Sequence, residues 1–132
     1  MSQRIGPGDA VFTTNFSFFA TTEVISLVGA TPIFIDIDNS TYNLNSELLE
    51  AEIERVLKEG KLNPRAIISV DLFGLLADYD EIERISKKYN LFLIEDAAQS
   101  FGATFENKKA GSFGDAAATS FYPAKPLGCY GD

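Results

Sequence analysis

An α/β fold is what this sequence predicts, a mostly parallel sheet with helices on both faces, and three observations carry it. Short β-rich runs alternate along the chain with helical stretches, the pattern of parallel strands joined by crossover helices. Two of those helical stretches run straight into a glycine, at Gly29 and Gly60, a normal helix end. One run, Leu91–Ile94, is wholly apolar, as expected of a strand covered on both faces.

The elements follow in order. Gly6-Pro7-Gly8-Asp9 is a turn, and Ala10–Thr13 a strand. Ser17 is placed to cap a nearly all-apolar helix carrying Val24, Ile25, Leu27 and Val28; so apolar a helix is expected in the interior. Pro32–Ile37 reads as the next strand, with a turn at Asp38-Asn39-Ser40. Helix Glu47–Glu59 sets Leu48, Leu49, Ile53, Val56 and Leu57 on one face. Arg65–Val70 is a strand. Asp78 with Glu81 makes a capping box for a helix that turns Tyr79, Ile82, Ile85 and Tyr89 inward. Leu91–Ile94 and Ala116–Ser120 complete the strands.

Bulk composition narrows the function classes. The chain has 132 residues, 45% hydrophobic and 23% charged, enough for one domain with a genuine core. A net charge of −8 argues against a nucleic-acid partner, which would need clustered Lys and Arg. No apolar run reaches the roughly 18–20 residues that span a bilayer, and Met1-Ser2-Gln3-Arg4 leads into no signal-peptide core. With Cys129 alone and no histidine, neither an internal disulfide nor a zinc site is expected, and a cytoplasmic setting fits. Cys129 reads as a small packing residue.

In open α/β sheets ligands bind at the carboxyl ends of the strands. Two such ends carry chemistry. Leu91–Ile94 runs into Glu95-Asp96-Ala97-Ala98-Gln99-Ser100, and Ala116–Ser120 runs into Phe121-Tyr122-Pro123-Ala124-Lys125-Pro126. Taken alone, the acids are equally a helix start lying in the positive end of the dipole. Lys125 lies between Pro123 and Pro126, which hold it in a fixed place. Together the ends suggest more. A lysine amine condenses with an aldehyde cofactor, and an acid keeps a pyridine nitrogen protonated so that the ring acts as an electron sink. Lys125 and Asp96 are the right types, and Ser120 is well placed to bond a phosphate.

Receiver domains of response regulators offer a rival of similar length, with an acid pair, a hydroxyl and a Lys-Pro step. Asp71, Glu95-Asp96, Ser120 and Lys125-Pro126 superficially supply those parts. Order and spacing disagree: receivers carry the acid pair at the first strand and separate the hydroxyl from the lysine by a full helix.

Gly6-Pro7-Gly8-Asp9, Phe16-Ser17-Phe18-Phe19-Ala20-Thr21, Val28-Gly29-Ala30-Thr31-Pro32, Glu95 to Ser100 and Ser120 to Lys125, in this order and spacing, resemble the DegT/StrS-type sugar aminotransferases of fold-type I. The resemblance implies a partial fold-type I large domain and pyridoxal phosphate as cofactor. Lys125 then matches the catalytic lysine that carries the cofactor and moves the proton. Asp96 matches the acid that pairs with the pyridinium nitrogen, Gln99 the residue that bonds the ring hydroxyl, Ser120 a phosphate ligand and Phe18 the stacking aromatic. Without the family, Phe18 would read as core packing. Some relatives replace the lysine with histidine and act as dehydratases; Lys125 implies the transaminating branch.

The implied reaction moves an amino group from an amino acid, glutamate by expectation, to a keto group of a nucleotide-linked sugar for surface polysaccharide. A homodimer is implied for the full-length protein, with no membrane partner. The stretch Lys125 to Asp132 looks most like relatives that aminate keto forms of UDP-linked N-acetyl sugars, 3-keto uronic acids among them. Many relatives have Pro-Ser where this chain has Thr14-Asn15, and histidine where Asp71 stands, which bears on substrate detail.

Relatives are also much longer. Residues 1–132 are therefore expected to be an incomplete large domain, lacking an N-terminal segment and a small C-terminal domain. The missing upstream part normally contains a Gly-Thr-x-Ala turn whose amides hold the phosphate at a helix start. By itself the chain is expected to bind pyridoxal phosphate weakly or not at all and to self-associate. A non-catalytic or regulatory homologue is the alternative from a different class.

Overall fold

Along the chain run β1 (Asp9–Thr14), α1 (Phe19–Leu27), β2 (Thr31–Ile35), α2 (Ser46–Glu59), β3 (Asn63–Val70), a 3-10 turn at Leu72–Gly74, α3 (Tyr79–Tyr89), β4 (Phe92–Asp96), β5 (Thr104–Phe105), β6 (Lys108–Lys109) and β7 (Ala116–Ala118). These come from a computed structural model that describes residues 3–130. Met1, Ser2, Gly131 and Asp132, including the end of the motif stretch after Lys125, lie outside the described residues. Five strands pair in parallel in the order β2-β1-β3-β4-β7, and β5-β6 is a separate antiparallel hairpin.

The pleat divides the sheet into two faces. On one, Ala10, Phe12, Ile35, Ile67 and Leu93 meet Leu49, Ile53 and Val56 of α2 and Tyr79, Ile82 and Ile85 of α3. On the other, Val11, Ala66 and Ile68 meet Ile25 of α1. Asn45 caps α2 by accepting from Leu48 N–H at 3.0 Å, and Asp78 caps α3 by accepting from Glu81 N–H at 3.3 Å, so the predicted capping position holds. Among the described residues no helix is long and apolar enough to cross a membrane.

Several expectations need correction. Phe18, not Ser17, is the N-cap of α1, with no side-chain cap bond, because the helix starts at Phe19 and leaves Ser17 too early to reach it. Nor is α1 interior: only Thr21 and Ile25 are buried, while Phe19, Val24 and Leu27 are exposed, because the helix meets the sheet along a narrow stripe. Leu48 and Leu57 sit at the margins of the α2 stripe and are exposed too. Asp96 closes β4 within the strand and a turn follows, so the helix-start reading of Glu95-Asp96 fails. Cys129 is exposed rather than packed. β2 and β7 end earlier than predicted, at Ile35 and Ala118. The β5-β6 hairpin was not foreseen; its turn places Glu106 and Asn107 at positive φ without a glycine between the strands.

The α2 assignment is testable. Ile53→Ala removes a fully buried side chain and is expected to cost about 2–4 kcal/mol of unfolding free energy. Leu57→Ala, at an exposed site, is expected to cost less than about 1 kcal/mol. Equal losses in urea denaturation would restore the sequence-based face.

Candidate active site

Parallel strands bring all their carboxyl ends to one rim, and the cavity there has a volume of about 790 Å³. Its apolar walls come from Val24 of α1, Ile68 and Val70 of β3, Ile94 of β4 and Ala118 of β7. Phe18, Asp96, Gln99, Ser120 and Lys125 all line it, so every site residue named from sequence reaches the same space.

Alternation within β4 sorts the two acids. Asp96 faces the cavity, while Glu95 points the other way and is fully buried. Each oxygen of Asp96 has a partner: Thr21 Oγ1 donates to Oδ2 at 2.8 Å, and Ala98 N–H donates to Oδ1 at 3.2 Å. Thr21 was missed in the sequence, although a threonine on the buried side of an apolar helix is a signal. Glu95 is a structural acid, accepting from Gly111 N–H at 2.6 Å and Phe113 N–H at 2.9 Å.

Lys125 is half-buried, and its loop is closed by two backbone bonds, Lys125 N–H to Tyr122 O at 2.8 Å and Cys129 N–H to Phe121 O at 2.9 Å. Gly128 is required there, since a Cβ would lie 2.3 Å from the carbonyl oxygen of Pro123. Glycine therefore joins the prolines in holding the lysine. Ser120 Oγ accepts from Tyr122 N–H at 3.2 Å. Phe18 is 71% exposed, which removes the core-packing reading and leaves its ring accessible. Gln99 Oε1 accepts from Phe73 N–H at 2.6 Å.

Asp71 is fully buried on the other face of the sheet. Its Oδ1 accepts from Tyr79 OH at 2.8 Å and Ala77 N–H at 3.2 Å, and its Oδ2 from Ser100 Oγ at 2.7 Å. Burial pushes its carboxyl up to about 6, against the hydrogen bonds from Ser100, Tyr79 and Ala77, with the charge of Glu95 adding to the rise. The strand order is the doubly wound one that receiver domains share. A phospho-acceptor must nevertheless be open to its donor, and Asp71 is sealed beneath Tyr79 and Ser100. The receiver reading fails there.

The sequence profile of the DegT/DnrJ/EryC1/StrS aminotransferase family matches residues 1–132. The chain belongs to this family. Aminotransferases of the DegT family depend on pyridoxal phosphate. A crystal structure of a DegT DnrJ EryC1 StrS aminotransferase from Brucella abortus is similar over 100% of the chain, at 58% identity and a TM-score of 0.99, and the match covers 35% of that structure. The UDP-2-acetamido-2-deoxy-3-oxo-D-glucuronate aminotransferase of Pseudomonas aeruginosa is 49% identical over 132 residues, 100% of this chain and 35% of that protein. A protein of Geobacillus stearothermophilus named a pleiotropic regulatory protein is 46% identical over 128 residues, 97% of this chain and 32% of that protein. The chain thus spans about a third of the length of the curated relatives it matches.

For this DegT-family chain the buried Asp71 generates a pH prediction. Its folded pKa, about 6, lies above the ordinary aspartate value, so the folded state binds the extra proton between roughly pH 4 and 6. Its contribution is most favourable below pH 4 and is lost as pH rises through 6. Asp71→Asn escapes that loss. The stability of Asp71→Asn relative to the parent should therefore be greatest above pH 6 and decline towards pH 4. Denaturation at a series of pH values checks it; a pH-independent difference would show that Asp71 does not titrate in that range.

Proposed function

We propose that the protein carrying this chain transfers an amino group from an amino acid, glutamate in this reading, to a keto group of a nucleotide-linked sugar, using pyridoxal phosphate. The observation that carries the proposal is the meeting of Lys125, Asp96, Gln99, Ser120 and Phe18 at one cavity on the carboxyl rim of the sheet. Supporting it are the family and the activity named for the Pseudomonas aeruginosa relative, which favours a UDP-linked 3-keto uronic acid as substrate. Surface polysaccharide as destination is favoured by the name of a similar lipopolysaccharide biosynthesis protein of Salmonella typhimurium.

The residues fit such a cofactor in chemistry. An apolar cavity with an exposed aromatic ring, a fixed carboxylate, an amide, a hydroxyl and an amine suits a flat cationic ring bearing an aldehyde, a hydroxyl and a phosphate. When bound, pyridoxal phosphate supplies an electron-poor ring that takes up the electron pair left when a C–H bond beside the amino group breaks. Asp96, held on both oxygens, keeps a proton on the ring nitrogen. Phe18 offers its face for stacking, and Ser120 its hydroxyl to the phosphate. Lys125 holds the cofactor through its amine and, once released, takes and returns the proton as general base and acid. A cytoplasmic homodimer is the setting that goes with this reading.

The name of the Geobacillus stearothermophilus relative favours a second reading, a regulatory homologue without turnover. Absorbance separates the two, because a lysine-bound cofactor colours the protein yellow.

Borohydride reduction of the full-length protein loaded with pyridoxal phosphate is expected to fix the label on Lys125. Peptide mapping to Lys87, Lys88, Lys108 or Lys109 instead would sink the assignment. Asp96→Asn is expected to lower transamination at least ~100-fold while costing much less in cofactor occupancy. A near-normal rate would reduce Asp96 to a structural acid.

A further inference from the structure

The orientation of Gln99 is decided by its neighbour. A backbone N–H can only donate, so the Gln99 amide must turn its oxygen to Phe73, as the 2.6 Å contact has it. That leaves Nε2, an obligate donor, as the other end of a side chain that lines the cavity. Among the described residues Nε2 has no acceptor.

The Phe73 amide is available because its backbone is left-handed, at φ 56° and ψ 17°. For a bulky residue this costs about 1–2 kcal/mol. The Phe73 side chain, 76% exposed, offers no compensation, so the turn must be held from outside. Two buried side chains do so. Asn43 Oδ1 accepts from Leu72 N–H at 3.1 Å, and its Nδ2 donates to Leu75 O at 2.9 Å and Leu76 O at 3.2 Å. Asp71 grips Ala77 N–H on one side and, through Ser100 Oγ, the residue after Gln99 on the other. Both ends of the Phe73–Gln99 bond are thereby tied to one carboxylate. At Gly74, also left-handed, a Cβ would lie 3.1 Å from Gln99 O, so the turn rests directly on the Gln99 backbone.

We propose that Asn43 and Asp71 are positioning residues that hold the Phe73 amide against Gln99 and thereby keep Nε2, the donor end of the side chain, turned to the cavity, where the cofactor reading already puts Gln99 on the ring oxygen. The donor assignment rests on the cofactor reading above; the clamp does not. Donation stabilises the deprotonated ring oxygen, whereas an amide turned the other way would favour the protonated one.

The test uses the full-length protein and two readouts: hydrogen exchange at the Phe73 amide without cofactor, and pyridoxal phosphate affinity by absorbance titration. Gln99→Glu still offers an acceptor to Phe73 but has no N–H for the cofactor. It should leave Phe73 protected while weakening cofactor binding at least ~10-fold. Gln99→Leu should lose both. Asn43→Ala, which removes no group assigned to the cofactor, should speed Phe73 exchange at least ~10-fold and weaken cofactor binding less than Gln99→Glu. If Asn43→Ala does not fold, Asn43→Asp carries the same test, since it keeps the acceptor for Leu72 and loses both donors. Parent-like cofactor affinity in Gln99→Glu overturns the donor assignment. Parent-like exchange in the folded Asn43 variant overturns the clamp. Should the parent take up no pyridoxal phosphate, the cofactor reading and the donor assignment fall together, and the exchange data alone decide the clamp.

Discussion

Every strand of the main sheet runs in the same direction, and the candidate site depends on that single constraint. Parallel pairing sends the ends of β3, β4 and β7, at Val70, Asp96 and Ala118, to one rim, so residues far apart in sequence leave the sheet side by side. Each following loop then contributes one kind of group: a backbone N–H from Phe73, an amide from Gln99, an amine from Lys125. The pleat adds selection. Ser69 pairs with Glu95 and Val70 with Asp96, so the first pair turns towards α3 and the second towards the cavity. A slip of one residue would exchange Glu95 and Asp96, burying the cavity acid and exposing the structural one.

Two buried carboxylates beneath that rim bind the loops to the sheet. Removing a charge from water is costly, and the partners given to Asp71 and Glu95 are hydroxyls and backbone amides. The two acids divide the work. Glu95 fastens the segment at Gly111 and Phe113 just before β7, and so the approach to the Lys125 loop. Asp71 fastens the start of α3 and the turn after β4, and so the approach to Gln99. Burial lifts the Asp71 carboxyl, and Tyr79, buried beside it, has its hydroxyl pushed well above the usual tyrosine range by burial and then by the Asp71 charge. The neutral phenol is thereby kept as a donor.

What was legible in the sequence followed from local physics. Apolar runs gave the strands, the capping acid Asp78 and the glycine Gly60 gave helix ends, and the strand-end rule led to Asp96, Gln99, Ser120 and Lys125. What escaped depends on contacts distant in sequence. Asn43 reads as one more polar residue in a turn, yet it is buried against Leu72, Leu75 and Leu76, about thirty residues on. Phe73 adopts a conformation its type disfavours, which only its clamps explain. The α1 helix misled because apolar composition predicts a tendency to be covered, not where the cover lies. Its roles here come from three side chains: Ile25 on the sheet, Thr21 on Asp96, and Val24 on the cavity.

The Asp96 carboxylate shows how these parts act together. With Thr21 and the Ala98 amide each holding one oxygen, its plane and position are set before anything enters the cavity. Both partners are neutral, so the negative charge is oriented but not cancelled. Val24, Ile68, Val70 and Ile94 around it limit the water that would otherwise screen that charge. A flat ring that carries a proton on nitrogen gains from such a wall, and the same ring without the proton does not. Replacing Thr21 by a basic residue would also satisfy the oxygen, but it would neutralise the charge on which the proposed cofactor contact relies. In the proposed function the hydroxyl on α1 would therefore serve selectivity as well as geometry: it aims the acid and adds no positive charge beside it, which is what a cationic ring would require.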